Sequence, residues 1–185
     1  MAVGGLFRFA KQALFSQPTP ERQLLKLAKS SHSLRVVELG IESLESTSKL
    51  LKQIASQPSG EEASYTGFDA FDERAASDPR LSLIDTHREL SATGVSVRLQ
   101  PGGPTAGVPA LANSLQDSDL VLISLGTSDR QLESAWFFLP RMCHPGTLVL
   151  RRTAGEEPDS PGQWTPLPHE EINRLATLAE ASRAA

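Results

Sequence analysis

The sequence predicts a doubly wound α/β domain built on a mostly parallel sheet, and three observations carry that prediction. Short apolar runs alternate with amphipathic stretches, the pattern of strands joined by helical crossovers. Leu34–Leu39 runs directly into Gly40 and then into a helix start, a strand–turn–helix unit. Asp119–Ser124, containing Leu-Val-Leu-Ile, reads as a strand buried on both faces, which requires helices on both sides of the sheet.

Taken in order, two amphipathic patterns, Gly5–Phe15 and Glu21–Ser30, precede the first strand. A helix follows over about Leu44–Ser56, with Leu44, Leu51 and Ile54 on one side. Pro58-Ser59-Gly60 is a loop, and Tyr65–Asp69 is the second strand. Asp78-Pro79 has the form of a helix cap followed by proline at the first helical position; Leu83, Ile84, His87 and Leu90 would be the inner face, and Gly94 ends the helix. Val95–Leu99 alternates as a half-exposed strand does. After Pro101-Gly102-Gly103-Pro104 comes a short helix around Val108–Leu115, then the buried fourth strand. Thr127 or Ser128 caps a helix carrying Leu132, Ala135, Trp136 and Leu139, and Thr147–Arg151 is the fifth strand. A Pro-rich loop (Pro158, Pro161, Pro166, Pro168) leads to a final helix over about His169–Ser182. The alternating third strand suits an edge and the first and fourth suit the interior. The order 3-2-1-4-5 follows, truncated after the fifth strand, with a ligand crevice after strand one, where the winding reverses.

Composition narrows the function classes. The 185 residues fit one domain, divided here as a helical segment 1–32, a sheet domain 33–152, and a loop-plus-helix segment 153–185 packing on it. A net charge of -4 argues against nucleic acid as the main partner. No run is long enough to span a membrane, and the N-terminal apolar residues are interrupted by Arg8, Lys11 and Gln12, so no signal peptide is expected. The basic N-terminal segment is read as a solvated helix face rather than a lipid-binding one. The single Cys143 excludes an intramolecular disulfide framework, and a cytoplasmic location is the default expectation. The four histidines have no metal-site spacing, so no metal is expected.

Val37-Glu38-Leu39-Gly40, Tyr65-Thr66-Gly67-Phe68-Asp69, Asp119-Leu120-Val121-Leu122-Ile123 and Leu139 through Leu148, with its Pro145-Gly146 turn, occur in the order and spacing of one Rossmann-like family. Over Leu34–Leu150 the chain resembles the class I S-adenosylmethionine-dependent methyltransferases. The resemblance implies S-adenosylmethionine as cofactor and a methyl group transferred to a small-molecule or protein nucleophile. It implies a cofactor site of Glu38, Gly40, Asp69 and Ser124, with Asp69 accepting the ribose hydroxyls. No catalytic base is identified.

The chain departs from the family's acidic-x-Gly-x-Gly-x-Gly motif. Only Gly40 is kept, and Glu42 and Leu44 stand at the second and third glycine positions, where side chains remove space. Pro101-Gly102-Gly103-Pro104 and Ser124 replace acidic residues after the third and fourth strands. A non-catalytic binding or oligomerisation module on the same fold is therefore the alternative to an enzyme.

Each candidate also has a plainer reading. Glu38 either orients the loop or bonds nearby amides. Ser124 either meets a ligand or ends a strand. Asp72 and Glu73 read as a solvated turn, His87 as a packed histidine, and Cys143 as a buried structural thiol beside the turn residue His144. His32 and His169 read as surface or cap residues. Trp136-Phe137-Phe138 reads as helix packing. The exposed edge of the fifth strand needs cover, either from the Pro-rich segment or from a second copy in a homodimer.

Overall fold

The computed structural model describes residues 19–30, 34–58, 62–124, 127–154 and 162–184. The helix expected over Gly5–Phe15, the Ser59-Gly60 turn, His32, Pro158 and Pro161 lie outside these residues. In chain order the elements are α1 (Pro20–Ser30), β1 (Arg35–Leu39), α2 (Leu44–Ala55), β2 (Ser64–Asp69), α3 (Leu83–Ser91), β3 (Ser96–Pro101) and α4 (Gly103–Leu111). They continue with β4 (Ser118–Ile123), α5 (Asp129–Met142), β5 (Cys143–Thr153), β6 (Gln163–Pro166) and α6 (His169–Ala184). Short 3₁₀ turns cover Phe71–Glu73 and Ala112–Ser114.

The sheet has the order β3-β2-β1-β4-β5-β6, parallel throughout except for β6. Alternation along the central strands divides the core between its two faces. Val36, Leu120, Leu122 and Leu150 pack with Leu24, Leu51, Ile54 and Leu90 from α1, α2 and α3. Val37, Leu39, Val121, Ile123 and Val149 pack with Val108, Leu132, Leu139 and Ile172 from α4, α5 and α6. Helices cover both faces, so the interior strands are largely apolar on each side, as the Leu-Val-Leu-Ile run is. No helix among the described residues is long and apolar enough to cross a membrane.

Two local readings change. Helix α3 starts at Leu83 rather than after Asp78, because Ser82 Oγ accepts the Asp85 amide and Asp72 Oδ2 accepts the Leu83 amide. The helix is also rotated from the expected face: Thr86 and Leu90 are buried, whereas His87 is exposed and Ile84 is 70% exposed.

The sheet also continues past its fifth strand. Residues Leu150 to Thr153 pair antiparallel with Gln163 to Pro166, so the C-terminal part of the β5 edge is covered. The homodimer expected through the fifth-strand edge is corrected for residues 150–153, whose hydrogen-bonding groups β6 already occupies. Beyond β6, the carboxamide of Gln23 imitates one further strand residue. Its Nε2 donates to the Trp164 carbonyl at 2.8 Å and its Oε1 accepts from the Trp164 amide at 2.9 Å. A row of unpaired edge groups is thus shortened by a side chain from α1.

Gln23→Ala removes both partners of the half-buried Trp164 backbone. It is expected to lower the unfolding free energy by about 1 kcal/mol in urea denaturation, and Gln23→Glu, which sets a carboxylate oxygen against the Trp164 carbonyl, by at least as much. Equal stability of Gln23→Ala and the natural chain would contradict this account of the edge.

Candidate functional site

The carboxyl ends of β1, β2 and β4 meet where the winding reverses, the usual place for a ligand in an open α/β sheet. There the chain forms a crevice of about 480 Å³, lined among others by Gly40, Glu42, Asp69, Arg74, Gly103 and Ser124. Three of the four residues expected from the sequence, Gly40, Asp69 and Ser124, are thereby brought together. The fourth, Glu38, belongs to the other face of the sheet.

Asp69 ends β2 and is 6% exposed. Its Oδ2 accepts the Ile41 amide at 2.9 Å, and its Oδ1 accepts the Phe71 amide at 2.9 Å. Arg74 then closes on both oxygens, Nε to Oδ1 and Nη2 to Oδ2, each at 2.6 Å. An ionised carboxylate offers about four lone-pair positions, and all are taken. Burial works against the Asp69 charge, but the Arg74 fork and the two amides outweigh it and hold its pKa below the usual carboxylate value. The guanidinium is satisfied as well: Nη2 also donates to the Ile41 carbonyl at 2.6 Å and Nη1 to the Pro79 carbonyl at 3.0 Å. Nothing in the sequence pattern singles out Arg74. It reaches Asp69 because Phe71 adopts φ of 47° and folds the chain back through a 3₁₀ turn.

Gly40 has φ of 80°, and its amide donates to the Phe68 carbonyl at 2.8 Å. A Cβ there would collide with Thr127 Oγ1 and stand 2.6 Å from Ser124 Oγ. Those hydroxyls are 3.1 Å apart, and Thr127 Oγ1 also donates to the Leu39 carbonyl at 2.7 Å. Ser124 thus closes the strand end with Thr127, over the glycine.

Glu38 is 4% exposed on the α2 side of the sheet. The Tyr65 hydroxyl donates to it at 2.7 Å and Thr47 Oγ1 at 3.0 Å. Tyr65 reaches Glu38 by lying over Gly67, whose absent side chain would meet the phenol oxygen at 2.6 Å. Burial, opposed by the bonds from Tyr65 and Thr47, raises the Glu38 pKa from 4.5 to about 7.

The loop after β1 is engaged from within too. Glu42 Oε2 lies 3.4 Å from Nε of Arg152 on β5, and that guanidinium stacks 5.8 Å from the Trp164 ring. Leu44, expected to crowd the site from the third glycine position, is the first residue of α2 and packs with the α1–α3 cluster instead. Cys143 and His144 lie at the opposite end of the sheet, at the start of β5. Burial pushes the Cys143 thiol up to about 11, which leaves it protonated and inert at neutral pH.

No protein-family model matches the sequence, and no curated protein matches it. Among solved structures, the O-methyltransferase TomG from Streptomyces achromogenes, involved in tomaymycin synthesis and solved with SAM, matches with a TM-score of 0.52. It is 14% identical, and the match covers 94% of this chain and 74% of that one. The O-methyltransferase from Bacillus cereus, in complex with SAH, gives a TM-score of 0.49 at 16% identity, covering 97% of this chain and 77% of that one. On the first of these matches and the strand order, the chain has the class I SAM-dependent methyltransferase fold. At this identity the likeness speaks for the fold alone.

Two expectations follow from the buried carboxylates. Because the folded pKa of Glu38 lies above its ordinary value, stability from this group is full below pH 4.5 and is lost as pH rises through about 7. At about 1.4 kcal/mol per pH unit the loss is about 3 kcal/mol. Urea denaturation of Glu38→Gln from pH 4 to 8 should show that fall removed; parallel curves for the two proteins would refute it. Asp69→Asn leaves Arg74 without its counter-charge and should cost about 3 kcal/mol at pH 7. For this depressed carboxylate the difference should shrink only as pH falls through its folded pKa, and a cost that is independent of pH would contradict the ion pair.

Proposed function

We propose that this protein is a non-catalytic member of the methyltransferase fold class, a binding or oligomerisation module in which the carboxylate of the cofactor crevice is occupied by the chain itself. One observation carries the reading: Asp69, the residue in the ribose-binding position, has every acceptor position taken by Arg74, Ile41 and Phe71. A ribose diol needs two of those positions. The residues present therefore do not fit S-adenosylmethionine as they are arranged. Each of the other expected cofactor residues also has an internal role. Gly40 seats Ser124 and Thr127, and Glu38 is bound by Tyr65 and Thr47. Glu42 adds a carboxylate to the crevice wall where a cofactor carboxylate would approach.

The second reading is a working S-adenosylmethionine-dependent methyltransferase, and the crevice of about 480 Å³ favours it. Methyl transfer needs alignment of donor and acceptor more than a base, so the want of an identified base does not weigh against it. What weighs against it is the occupied carboxylate. In this second reading the ligand is a small molecule held after strand one.

Calorimetric titration of the natural chain with S-adenosylmethionine and S-adenosylhomocysteine is expected to give no saturable heat up to millimolar ligand. Micromolar binding that disappears in Asp69→Asn would overturn the non-catalytic reading and establish a cofactor site.

A further inference from the structure

We infer that Arg74 is an internal ligand acting as a latch: its guanidinium holds the place of a vicinal diol on Asp69 and keeps the crevice closed to any ligand needing that carboxylate. The inference rests on the non-catalytic reading for the closed state and adds what would open it. Two parallel donors on one planar group, Nε and Nη2, meet the two oxygens of one carboxylate at equal distances of 2.6 Å. Adjacent hydroxyls of a sugar ring offer the same pair of donors with a similar spread. The two therefore compete for one acceptor and cannot be held together.

The fork is the middle tie of the segment joining β2 to α3. At one end Phe71 is buried, with its amide on Asp69, and Asp72 caps α3; at the other end Ser82 caps the same helix. Between these anchors Ala75 to Arg80 are exposed, and Arg74 fastens the stretch through Asp69, the Ile41 carbonyl and the Pro79 carbonyl. Releasing one side chain therefore frees both the carboxylate and the segment over it, without unpacking the sheet. The core of this region belongs to Phe68 and Phe71, not to Arg74. An intramolecular partner acts at high effective concentration, so a free diol of ordinary affinity loses to it. Its apparent affinity is reduced by the fraction of time the latch is open.

The test compares the natural chain with Arg74→Met, which keeps an unbranched apolar side chain and removes the fork. Thermal melting shows whether the variant is folded; Arg74→Lys, which keeps the charge but cannot fork, replaces it should Arg74→Met not fold. Titration with adenosine is expected to show affinity at least about tenfold higher in the variant. Titration with 2′-deoxyadenosine, which has no vicinal diol, is expected to show no such gain. Limited trypsin cleavage after Arg80 is expected to be about tenfold faster in the variant, reporting the loosened segment through the population of open chain.

A folded variant with unchanged adenosine affinity would overturn the latch. So would faster cleavage with no gain in affinity, because Arg74 would then be a structural tie only. An equal gain for both nucleosides would overturn it too, since the diol would play no part. Tight cofactor binding by the natural chain would overturn the functional reading instead. The latch is judged separately, on the ratio between variant and natural protein.

Discussion

The carboxylate of Asp69 is the point on which this end of the molecule depends. It joins two pieces of chain: the turn after β1 through Ile41, and the β2–α3 segment through Phe71 and Arg74. A buried charge is tolerated only when paired and hydrogen-bonded, and Asp69 satisfies both conditions from within one chain. Such a pair adds little net stability relative to an apolar replacement, but losing one partner is costly. Its contribution is positional. It decides which backbone lies over the carboxyl ends of the strands.

The same device recurs around the crevice. Arg152 reaches from β5 to Glu42, while its guanidinium lies over Trp164 on β6, which is in turn held by Gln23 of α1. A chain of contacts thus runs from the loop after β1 to the added sixth strand and the N-terminal helix. Glu38, on the opposite side of β1, is engaged by Tyr65 and Thr47 and pinned between sheet and α2. Three acidic residues near one strand end therefore each have a donor supplied by the fold. Acidic groups so close would otherwise repel one another, and the raised pKa of Glu38 owes part of its rise to Asp69 and Glu42.

What the sequence made legible was decided locally or by burial. The Leu-Val-Leu-Ile run had to be an interior strand, because both its faces are apolar. Of the two cap candidates, Thr127 and Ser128, Ser128 caps the helix, reciprocally with Gln131. The third strand's alternation marks it as an edge, and it is one. What failed was decided by tertiary partners. Asp78-Pro79 carries a cap signature, but the Pro79 carbonyl is held by Arg74, and Asp72 and Ser82 take the cap four residues later. Gln163–Pro166 has too few residues and too much proline to read as a strand; it becomes one by pairing with β5. The residues of the crevice were legible as positions, through strand ends and winding. Their occupation was not, because Arg74 meets Asp69 only after Phe71 has turned the chain back.

The loop that follows β1 shows how one motif can divide into two constraints. In a cofactor-binding loop several glycines serve together, some for backbone conformation and some for close approach of a ligand. Here Gly40 alone remains, and it is the position with φ of 80° and with two hydroxyls where a Cβ would stand. Among the described residues the non-glycine positions with positive φ are Phe71 and Asp117, so neither Glu42 nor Leu44 needs the freedom of glycine. The backbone of the turn is thus kept by the one glycine it requires. Glu42 and Leu44, at the positions of that motif's second and third glycines, are a carboxylate paired with Arg152 and a leucine packed against the core. That division is what a self-occupied crevice leads one to expect. Folding requires a glycine at Gly40, where the turn takes positive φ, and requires none at Glu42 or Leu44.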